Sequence, residues 1–261
     1  MADWALILGS SSGFGEAAAR AFAEAGYNVY GVHLDRKSTL QHVDEIVRAI
    51  KQSGRDVEFF NLNAADESKR GEVLDHIARR LGESGEKVRV LMHSLAFGTL
   101  KPYVGAEGKP GLSQKELEMT LDVMANSLVY WTQDLVQRGL MADGGRIFSM
   151  TSSGDVHAWP RYGAVSAAKA ALEAHTRQLS FELASRGIGV NAIRAGVTDT
   201  PALRKIPGNE QMISVALSRN PRGRLTTPQD VAAAMVALAA PGTHWMTGNV
   251  IGVDGGEEVA G

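Results

Sequence analysis

Short apolar runs alternate with amphipathic stretches from one end of the chain to the other. Apolar runs bounded by turn residues predict strands, and stretches with apolar positions three or four residues apart predict helices. The strands are predicted at residues 4–8, 28–34, 57–62, 89–93, 146–151, 189–193 and 249–253. The helices are predicted near residues 14–25, 37–53, 67–82, 113–140, 162–186, 209–219 and 228–240.

Strands that alternate with helices of this length are typical of right-handed βαβ units, which build a parallel sheet with helices on both faces. We therefore predict an α/β fold of the doubly wound Rossmann type, with seven parallel strands flanked by helices, in a single domain over residues 1–261. Two stretches, 97–111 and 198–224, are longer than ordinary connections. Because such loops are usually functional, we expect a substrate loop at about 198–224.

Composition and charge exclude several classes of function. Apolar residues make up 44% of the chain, and a net charge of −2 gives no basic surface for nucleic acid. The chain has no cysteine, which excludes disulfides and thiolate catalysis. The histidines lack metal-pair spacing, so no metal is expected. No apolar run approaches the roughly 18 residues of a membrane span, and no basic leader precedes the first strand, so we expect a cytoplasmic protein.

A glycine-rich turn follows the first predicted strand. Gly9, Gly13 and Gly15 have the spacing Gly-x-x-x-Gly-x-Gly between strand 4–8 and helix 14–25. Glycines there let the backbone turn tightly and let a pyrophosphate approach the positive N-terminus of the helix. Since the motif lies on the first strand of a βαβ series, we predict a dinucleotide site; an ordinary Gly/Ser turn is the alternative.

The end of the second predicted strand bears on which dinucleotide binds. In such folds this point faces the adenosine ribose, where an acid binds a free 2′-hydroxyl and a cation favours a 2′-phosphate. His33 takes the position expected for the acid, Asp35 follows slightly later, and Arg36 and Lys37 come next. We predict NADPH in preference to NADH. The alternative is that both cations only solvate a helix start.

A tyrosine and a lysine share one face of the predicted helix 162–186. Tyr162 and Lys169 are seven residues apart, which places them about −20° apart around the helix and about 10 Å apart along it. A lysine near a nicotinamide ribose can hold the cofactor and lower a tyrosine pKa, and the tyrosine can then donate a hydrogen bond to a substrate oxygen. A packed ring and a solvated amine are the alternative, which the glycine turn upstream disfavours.

These features together resemble the short-chain dehydrogenase/reductase superfamily over nearly the whole chain. The matching residues are Gly9, Gly13, Gly15, Asn63, Ala64, His93, Ser94, Leu95, Ala96, Asn126, Ser152, Tyr162, Lys169 and the segment Val253-Asp254-Gly255-Gly256. Most members place the tyrosine four residues before the lysine, where this chain has Val165. The Tyr-x6-Lys spacing instead resembles the enoyl-acyl-carrier-protein reductases, and residues 170–174 and 199–224 are similar to their NADPH-dependent branch.

The displaced tyrosine suits enoyl reduction. A ketone reductase needs its acid on the oxygen of the carbon that accepts hydride. An enoyl thioester accepts hydride at Cβ, while negative charge develops on the thioester oxygen two carbons away. Moving the phenol back by one helical turn, about 5 Å, places it at that remote oxygen, where it can stabilise an enolate.

The resemblance also implies individual site residues. It implies catalytic roles for Tyr162, Lys169, Ser152 and Asn126. The implied cofactor site, taken with the glycine turn and the second strand, comprises Gly9, Ser11, Ser12, Gly13, Phe14, Gly15, His33, Arg36, Asn63, Ala64, Ser94, Ala96, Lys169, Gly196, Val197 and Thr198. A homotetramer is implied as well.

Some of these assignments have structural alternatives. Ser152 could be a cap at a strand end, and Asn126 a surface asparagine. At the fourth strand a backbone role of Ser94 or Ala96 is expected rather than chemistry at a histidine. Ser12 stands where NADPH-dependent relatives often have arginine, so selectivity for a 2′-phosphate would fall on Arg36 and Lys37.

The sequence therefore predicts an NADPH-dependent reductase of enoyl thioesters. Its substrate would be carried by acyl carrier protein or coenzyme A, and the excess of four positive charges between Arg194 and Arg224 favours an acidic carrier. A solvated loop is the alternative for that segment. The alternative activity is a carbonyl reductase or alcohol dehydrogenase of the same superfamily, which Val165 disfavours. A catalytically silent, dinucleotide-sensing protein is disfavoured by the presence of both Tyr162 and Lys169.

Overall fold

The computed structural model describes residues 3–106 and 108–260, and in them the predicted strands form one parallel sheet. The strands are β1 Trp4–Leu8, β2 Asn28–His33, β3 Val57–Asn61, β4 Val88–His93, β5 Met141–Thr151, β6 Gly189–Ala195 and β7 Val250–Val253. Their order across the sheet is β3-β2-β1-β4-β5-β6-β7, and each neighbouring pair is parallel. The predicted doubly wound fold is confirmed.

Helices cover both faces of this sheet, as the βαβ pattern requires. They are α1 Gly13–Glu24, α2 Leu40–Gln52, α3 Glu67–Ser84, α4 Gln114–Leu121, α5 Ser127–Gln137, α6 Gly163–Glu182, α7 Asn209–Arg219 and α8 Pro228–Ala239. One apolar core lies between the sheet and α1, α2 and α8. The other lies between the sheet and α3, α5 and α6. β1 is buried along its whole length, as expected for a strand covered on both faces.

Two elements differ from the sequence prediction in their bounds. The helix expected at 113–140 is divided into α4 and α5 by a π-helical segment, Asp122–Asn126. β5 begins at Met141 rather than at residue 146, because a bulge near Gly144 and Gly145 lets the chain pair with β4 on both sides of it. Neither the π-helical segment nor the bulge could be predicted from the apolar periodicity of the sequence.

The predicted substrate loop, residues 198–224, contains a short 3-10 turn, Leu203–Lys205, followed by α7. Residues 97–106 and 108–111 contain no helix or longer strand, apart from an isolated bridge between Ala106 and Lys109. None of the helices in the described parts of the chain combines the length and the apolarity needed to cross a bilayer.

Trp131 ties α5 to the turn that follows β3. Its side chain is fully buried, and its indole N–H donates a hydrogen bond of 2.8 Å to the carbonyl of Ala64. Trp131→Phe leaves that buried carbonyl without its donor, so we expect the free energy of unfolding in urea to fall by about 2 kcal/mol. Trp245→Phe, at a side chain that is 89% exposed, is the control and should change it little. Equal effects of the two substitutions would contradict this account.

Candidate active site

The residues singled out from the sequence meet at one edge of the sheet. Gly9, Ser94, Ser152 and Gly196 follow the carboxyl ends of β1, β4, β5 and β6, and His33 ends β2. Because neighbouring strands are parallel, these ends lie side by side. Ligands of open α/β sheets bind at this edge, outside the carboxyl ends of the strands.

The glycine turn is shaped as a cradle that side chains would fill. A Cβ atom added to Gly9 would lie 2.4 Å from the carbonyl oxygen of Ser94, and one added to Gly15 would lie 1.9 Å from that of Gly9. Gly9 also has a φ of +89°, which disfavours other residues. Ser12 precedes α1 without a side-chain cap, so the first amide groups of this helix point toward the turn. The cradle therefore fits a dinucleotide pyrophosphate.

At the end of β2 the structure brings in a residue that the sequence analysis left out of the site. His33 is buried, and its Nδ1 lies 2.9 Å from Oδ2 of Asp35, whose Oδ1 accepts a hydrogen bond of 2.6 Å from Thr39. Partial burial favours a raised Asp35 pKa, but hydrogen bonds from Ser11, Thr39 and His33 outweigh it and hold the pKa below its usual value. Asp35 is thus ionised beside the glycine turn, at the edge expected to face the ribose.

Arg36 and Lys37 follow Asp35 on the surface. Both side chains are exposed, and neither has a carboxylate partner within residues 3–106 and 108–260. The two cations are therefore available to an anionic group at this end of the site. Their positions agree with the expectation for a 2′-phosphate, although the carboxylate of Asp35 acts against it.

The turns after β3 and β4 contribute mainly backbone to the edge. Ala64 is buried, whereas Asn63 is exposed and its Oδ1 accepts a hydrogen bond of 3.1 Å from the amide of Ala65. Ser94 donates its amide to Leu8, which leaves its carbonyl oxygen against the glycine cradle. Ala96 is exposed at the same turn.

His93, which ends β4, is buried within the protein. Its Nε2 lies 2.8 Å from the Ser127 hydroxyl. Burial, together with the nearby charge of Lys169, lowers the pKa of His93 to about 3. The imidazole is therefore neutral at physiological pH and shares a hydrogen bond with α5, which fits a structural role.

Tyr162 and Ser152 face each other between β5 and α6. Tyr162 is 8% exposed and immediately precedes α6, and its phenolic oxygen lies 3.5 Å from Oγ of Ser152. Burial raises the pKa of Tyr162, with the charge of Asp155 acting in the same direction and the hydrogen bond from Ser152 opposing it. The phenol is consequently neutral and is a hydrogen-bond donor.

Lys169 lies two turns further along the same face of α6. Its side chain is buried, and Nζ donates a hydrogen bond of 2.7 Å to the carbonyl of Met150 in β5. Burial lowers the pKa of Lys169 to about 8, and the charge of Glu173 opposes this shift. An ammonium group has three donors, so two remain for other oxygens, such as the hydroxyls of a ribose.

Asn126 ends the π-helical segment between α4 and α5. Its Oδ1 lies 3.2 Å from Nε2 of His175 on α6. Asn126 therefore lies at a break between two helices. The side chain itself, however, bonds to His175 and makes no hydrogen bond to Lys169 among the described residues.

Position 165, where most relatives have their tyrosine, lies in the core. Val165 is 5% exposed and packs with the apolar cluster between the sheet and α6. A Cβ added to Gly98 would lie 3.0 Å from one of its methyl groups. The phenol available to a substrate at this end of α6 is therefore that of Tyr162.

The basic segment inferred from the sequence is largely neutralised by pairing. Arg194 lies 2.9 Å from Asp155 and 3.2 Å from Glu173, and Glu173 also accepts a hydrogen bond of 2.8 Å from Thr151. In the same way, ion pairs join Arg204 to Asp199 and Arg224 to Asp230. The net charge counted along residues 194–224 is thus a poor guide to this surface, and the expected basic rim is reduced to Lys205, Arg219 and Arg222.

The turn after β6 is held from the C-terminal segment. Val197 donates its amide to the Glu257 carboxylate, with both oxygens 3.2 Å away, and a Cβ added to Gly196 would lie 2.5 Å from Oγ1 of Thr226. Thr198 is buried, and its hydroxyl donates to the carbonyl of Gly196. These three residues of the predicted cofactor site therefore form a hydrogen-bonded turn next to β5, the strand whose Met150 carbonyl accepts the hydrogen bond from Lys169.

Besides Asp35, three acidic residues at this edge were not predicted from the sequence: Asp155, Glu173 and Glu257. All three act through partners distant in sequence, such as Arg194 and Val197. Two of them had a signal: Asp155 lies close to Ser152, and Glu173 is one helical turn beyond Lys169, facing the same way. Glu257 had none.

A glycine cradle and a tyrosine–lysine face on one sheet edge define a dinucleotide-dependent oxidoreductase of the Rossmann type. A family model described as "Enoyl-(Acyl carrier protein) reductase" matches residues 9–258. The chain is 28% identical to 3-oxoacyl-[acyl-carrier-protein] reductase FabG of Thermotoga maritima, over 96% of each protein. It is 29% identical to 1-cyclohexenylcarbonyl-CoA reductase of Streptomyces collinus, over 96% of this chain and 85% of that one.

Solved structures show the same relationship. The enoyl-[acyl-carrier-protein] reductase (NADH) of Aquifex aeolicus superposes with a TM-score of 0.84 at 25% identity, over 99% of this chain and 97% of that one. The chain belongs to the short-chain dehydrogenase/reductase superfamily, in the family of that enoyl reductase model. It is thus an NAD(P)-dependent oxidoreductase, and its relatives include both 3-oxoacyl and enoyl reductases.

Gly154 makes room for the ring of Tyr162. A Cβ added there would lie 2.5 Å from Cε1 of Tyr162 and 3.3 Å from Oγ of Ser152. We expect Gly154→Ala to displace the phenol and to lower cofactor-dependent turnover by up to about 100-fold, since small misplacements of a catalytic group are costly. Turnover is measured as nicotinamide oxidation with an acyl thioester.

Gly82→Ala is the matched control, because a Cβ at this position of α3 meets nothing within 4 Å. It should leave turnover unchanged and should stabilise the helix by up to about 1 kcal/mol. Wild-type turnover in Gly154→Ala would show that the position of the Tyr162 ring does not depend on the space left at Gly154.

Proposed function

We propose that this protein reduces the carbon–carbon double bond of enoyl thioesters, with NADPH as the preferred cofactor. The observation that carries the proposal is the position of the phenol. Tyr162 stands at the start of α6, one turn before the place that Val165 occupies in the core. A substrate oxygen that is hydrogen-bonded to Tyr162 is therefore about 5 Å further from Lys169 than in relatives whose tyrosine lies four residues before the lysine.

That displacement matches the chemistry of an unsaturated thioester. When bound, the nicotinamide supplies a hydride, which the β-carbon of the enoyl group accepts. The electron pair of the double bond then moves toward the carbonyl, and negative charge develops on the thioester oxygen. The neutral phenol of Tyr162 donates a hydrogen bond that strengthens as this charge grows, which lowers the barrier. The α-carbon afterwards takes a proton from water.

Ser152 and Lys169 would support this donor in different ways. The Ser152 hydroxyl, 3.5 Å from the phenol, would orient Tyr162. Lys169 keeps one donor on Met150 and offers the others to the nicotinamide ribose. Its charge also stabilises an anion nearby, because a buried charge acts through a low dielectric.

The relatives support the proposal in part. The Streptomyces collinus protein is named for a thioester of an unsaturated ring acid, and the matched family is described as an enoyl reductase. The Thermotoga maritima relative is named for a 3-oxoacyl substrate. Reduction of a keto group is accordingly the second candidate function, and the register of Tyr162 favours the enoyl substrate over it.

The carrier of the acyl group would lie beside the substrate loop. Lys205 and Arg222 are exposed there without carboxylate partners in the described part of the chain. These two cations attract an acidic carrier less strongly than the excess of four positive charges counted from the sequence. They nevertheless suit the phosphate of a phosphopantetheine arm, which acyl carrier protein and coenzyme A share.

Tyr162→Phe is the direct test of the catalytic assignment. We expect kcat for a crotonyl thioester to fall by about 100-fold, as for the loss of one oxyanion donor, while KM changes little. Tyr103→Phe is the matched control: the ring of Tyr103 packs over Gly163, next to Tyr162, and half of it is exposed. Unchanged turnover in Tyr162→Phe would remove the phenol from the mechanism.

Cofactor choice rests on the surface after β2, where two cations outnumber the carboxylate of Asp35. Arg36→Ala should raise the KM for NADPH about 10- to 100-fold more than the KM for NADH, because a charge-assisted phosphate contact contributes about 1.5–3 kcal/mol. Lys51→Ala, an exposed lysine at the far end of α2, should alter neither value. Equal changes with both cofactors would assign the selectivity elsewhere.

The outer face of α6 suits an interface between copies of the chain. Ala170 and Ala174 are exposed on it, and Phe181 is 79% exposed. Burial of such a face in a homotetramer removes apolar surface from water. Light scattering should therefore give a mass near four times 27.8 kDa, and Phe181→Asp should lower it. A wild-type protein that elutes as a monomer would refute the tetramer.

A further inference from the structure

The residues just before Tyr162 form a strained turn. The amide of Tyr162 donates a hydrogen bond of 3.1 Å to the carbonyl of Trp159, which closes the four residues 159–162, here called the tyrosine turn. Pro160 is second in the turn, and Arg161, the third, has a φ of +65°, where glycine is favoured. An arginine backbone in the left-handed region costs about 1–3 kcal/mol, and this conformation persists only where surrounding contacts hold it. Something outside the turn must therefore fix its conformation.

Trp159 provides that outside contact by reaching into the substrate loop. Its indole N–H donates a hydrogen bond of 3.2 Å to the carbonyl of Pro207. A Cβ added to Gly208 would lie 3.5 Å from Cζ2 of the indole, so the ring packs against the backbone just before α7. Among residues 3–106 and 108–260, this is the one hydrogen bond between the tyrosine turn and the substrate loop.

Both ends of this link rest on the same core. Trp159 and Ile206 pack against the apolar cluster that contains Tyr162. The near end of the substrate loop meets the cofactor cradle, because Thr200 lies 3.4 Å from where a Cβ of Gly13 would be. The loop therefore spans from the glycine turn to the indole, and the indole stands three residues from the phenol.

We propose that Trp159 is a positioning residue, which places the phenol of Tyr162 by anchoring the tyrosine turn to the substrate loop. The inference rests on the proposed catalytic role of Tyr162. An ordered loop holds the indole, the indole holds the turn against its strain, and the turn sets where the phenol points.

Limited proteolysis tests the anchor without any assay of activity. Arg204 and Lys205 are exposed in the loop, next to the segment that Trp159 holds, so trypsin cleavage after them reports how often the loop opens. Trp159→Phe keeps an aromatic ring but loses the N–H. We expect cleavage at these two bonds to become about three- to tenfold faster, the change that loss of one hydrogen bond produces.

Two further variants define what this result means. Gly208→Ala strains the loop backbone itself, at a φ of +82°, and should accelerate the same cleavages, which shows that they report loop order. Trp245→Phe removes an exposed indole elsewhere and should leave them unchanged. Wild-type cleavage rates in Trp159→Phe would overturn the anchor, whatever the rates in Gly208→Ala.

A double-mutant cycle then tests whether the indole acts through the phenol. With whichever thioester or ketone the wild-type enzyme reduces, Trp159→Phe should lower kcat several-fold. The same substitution should have no further effect in a Tyr162→Phe background, because the group that it positions is gone. An equal loss of kcat in both backgrounds would overturn the positioning role. A preference for ketones would contradict the proposed enoyl substrate alone, since neither the cleavage rates nor the cycle depends on it.

Discussion

The buried ammonium group of Lys169 is the constraint on which the arrangement of the site depends. A charge held away from water costs several kcal/mol unless neighbouring groups compensate it. Burial lowers the pKa of Lys169 to about 8, the charge of Glu173 opposes that shift, and the carbonyl of Met150 accepts a hydrogen bond from the ammonium group. Burial and the same charge lower the pKa of His93, whose neutral ring shares a hydrogen bond with Ser127.

The compensation extends outward from the lysine into a buried polar cluster. Glu173 is itself held by Thr151 and by Arg194, and Arg194 also holds Asp155, close to the phenol. The charges of Lys169, Glu173, Arg194 and Asp155 are thus each held by a partner on another element. Such a network positions the ends of β5, β6 and α6 relative to one another, which a ribose and a substrate oxygen both require.

The sequence revealed the fold because its signals are local. The alternation of apolar runs and amphipathic stretches depends only on neighbouring residues, and the strands follow it closely. The glycine turn and the Tyr162–Lys169 spacing are local as well. Pairing between distant residues is not: nothing near Asp35 indicates its hydrogen bonds with Asn61, and counting charges between residues 194 and 224 overlooked Asp155 and Glu173 as partners of Arg194.

We propose that the register of Tyr162 selects an unsaturated thioester. The decisive quantity is kcat/KM of the wild-type enzyme for crotonyl and acetoacetyl thioesters on the same carrier, each with NADPH. We expect the crotonyl thioester to be preferred by at least about tenfold, which corresponds to about 1.4 kcal/mol of transition-state stabilisation. An acetoacetyl thioester reduced as fast or faster would contradict it.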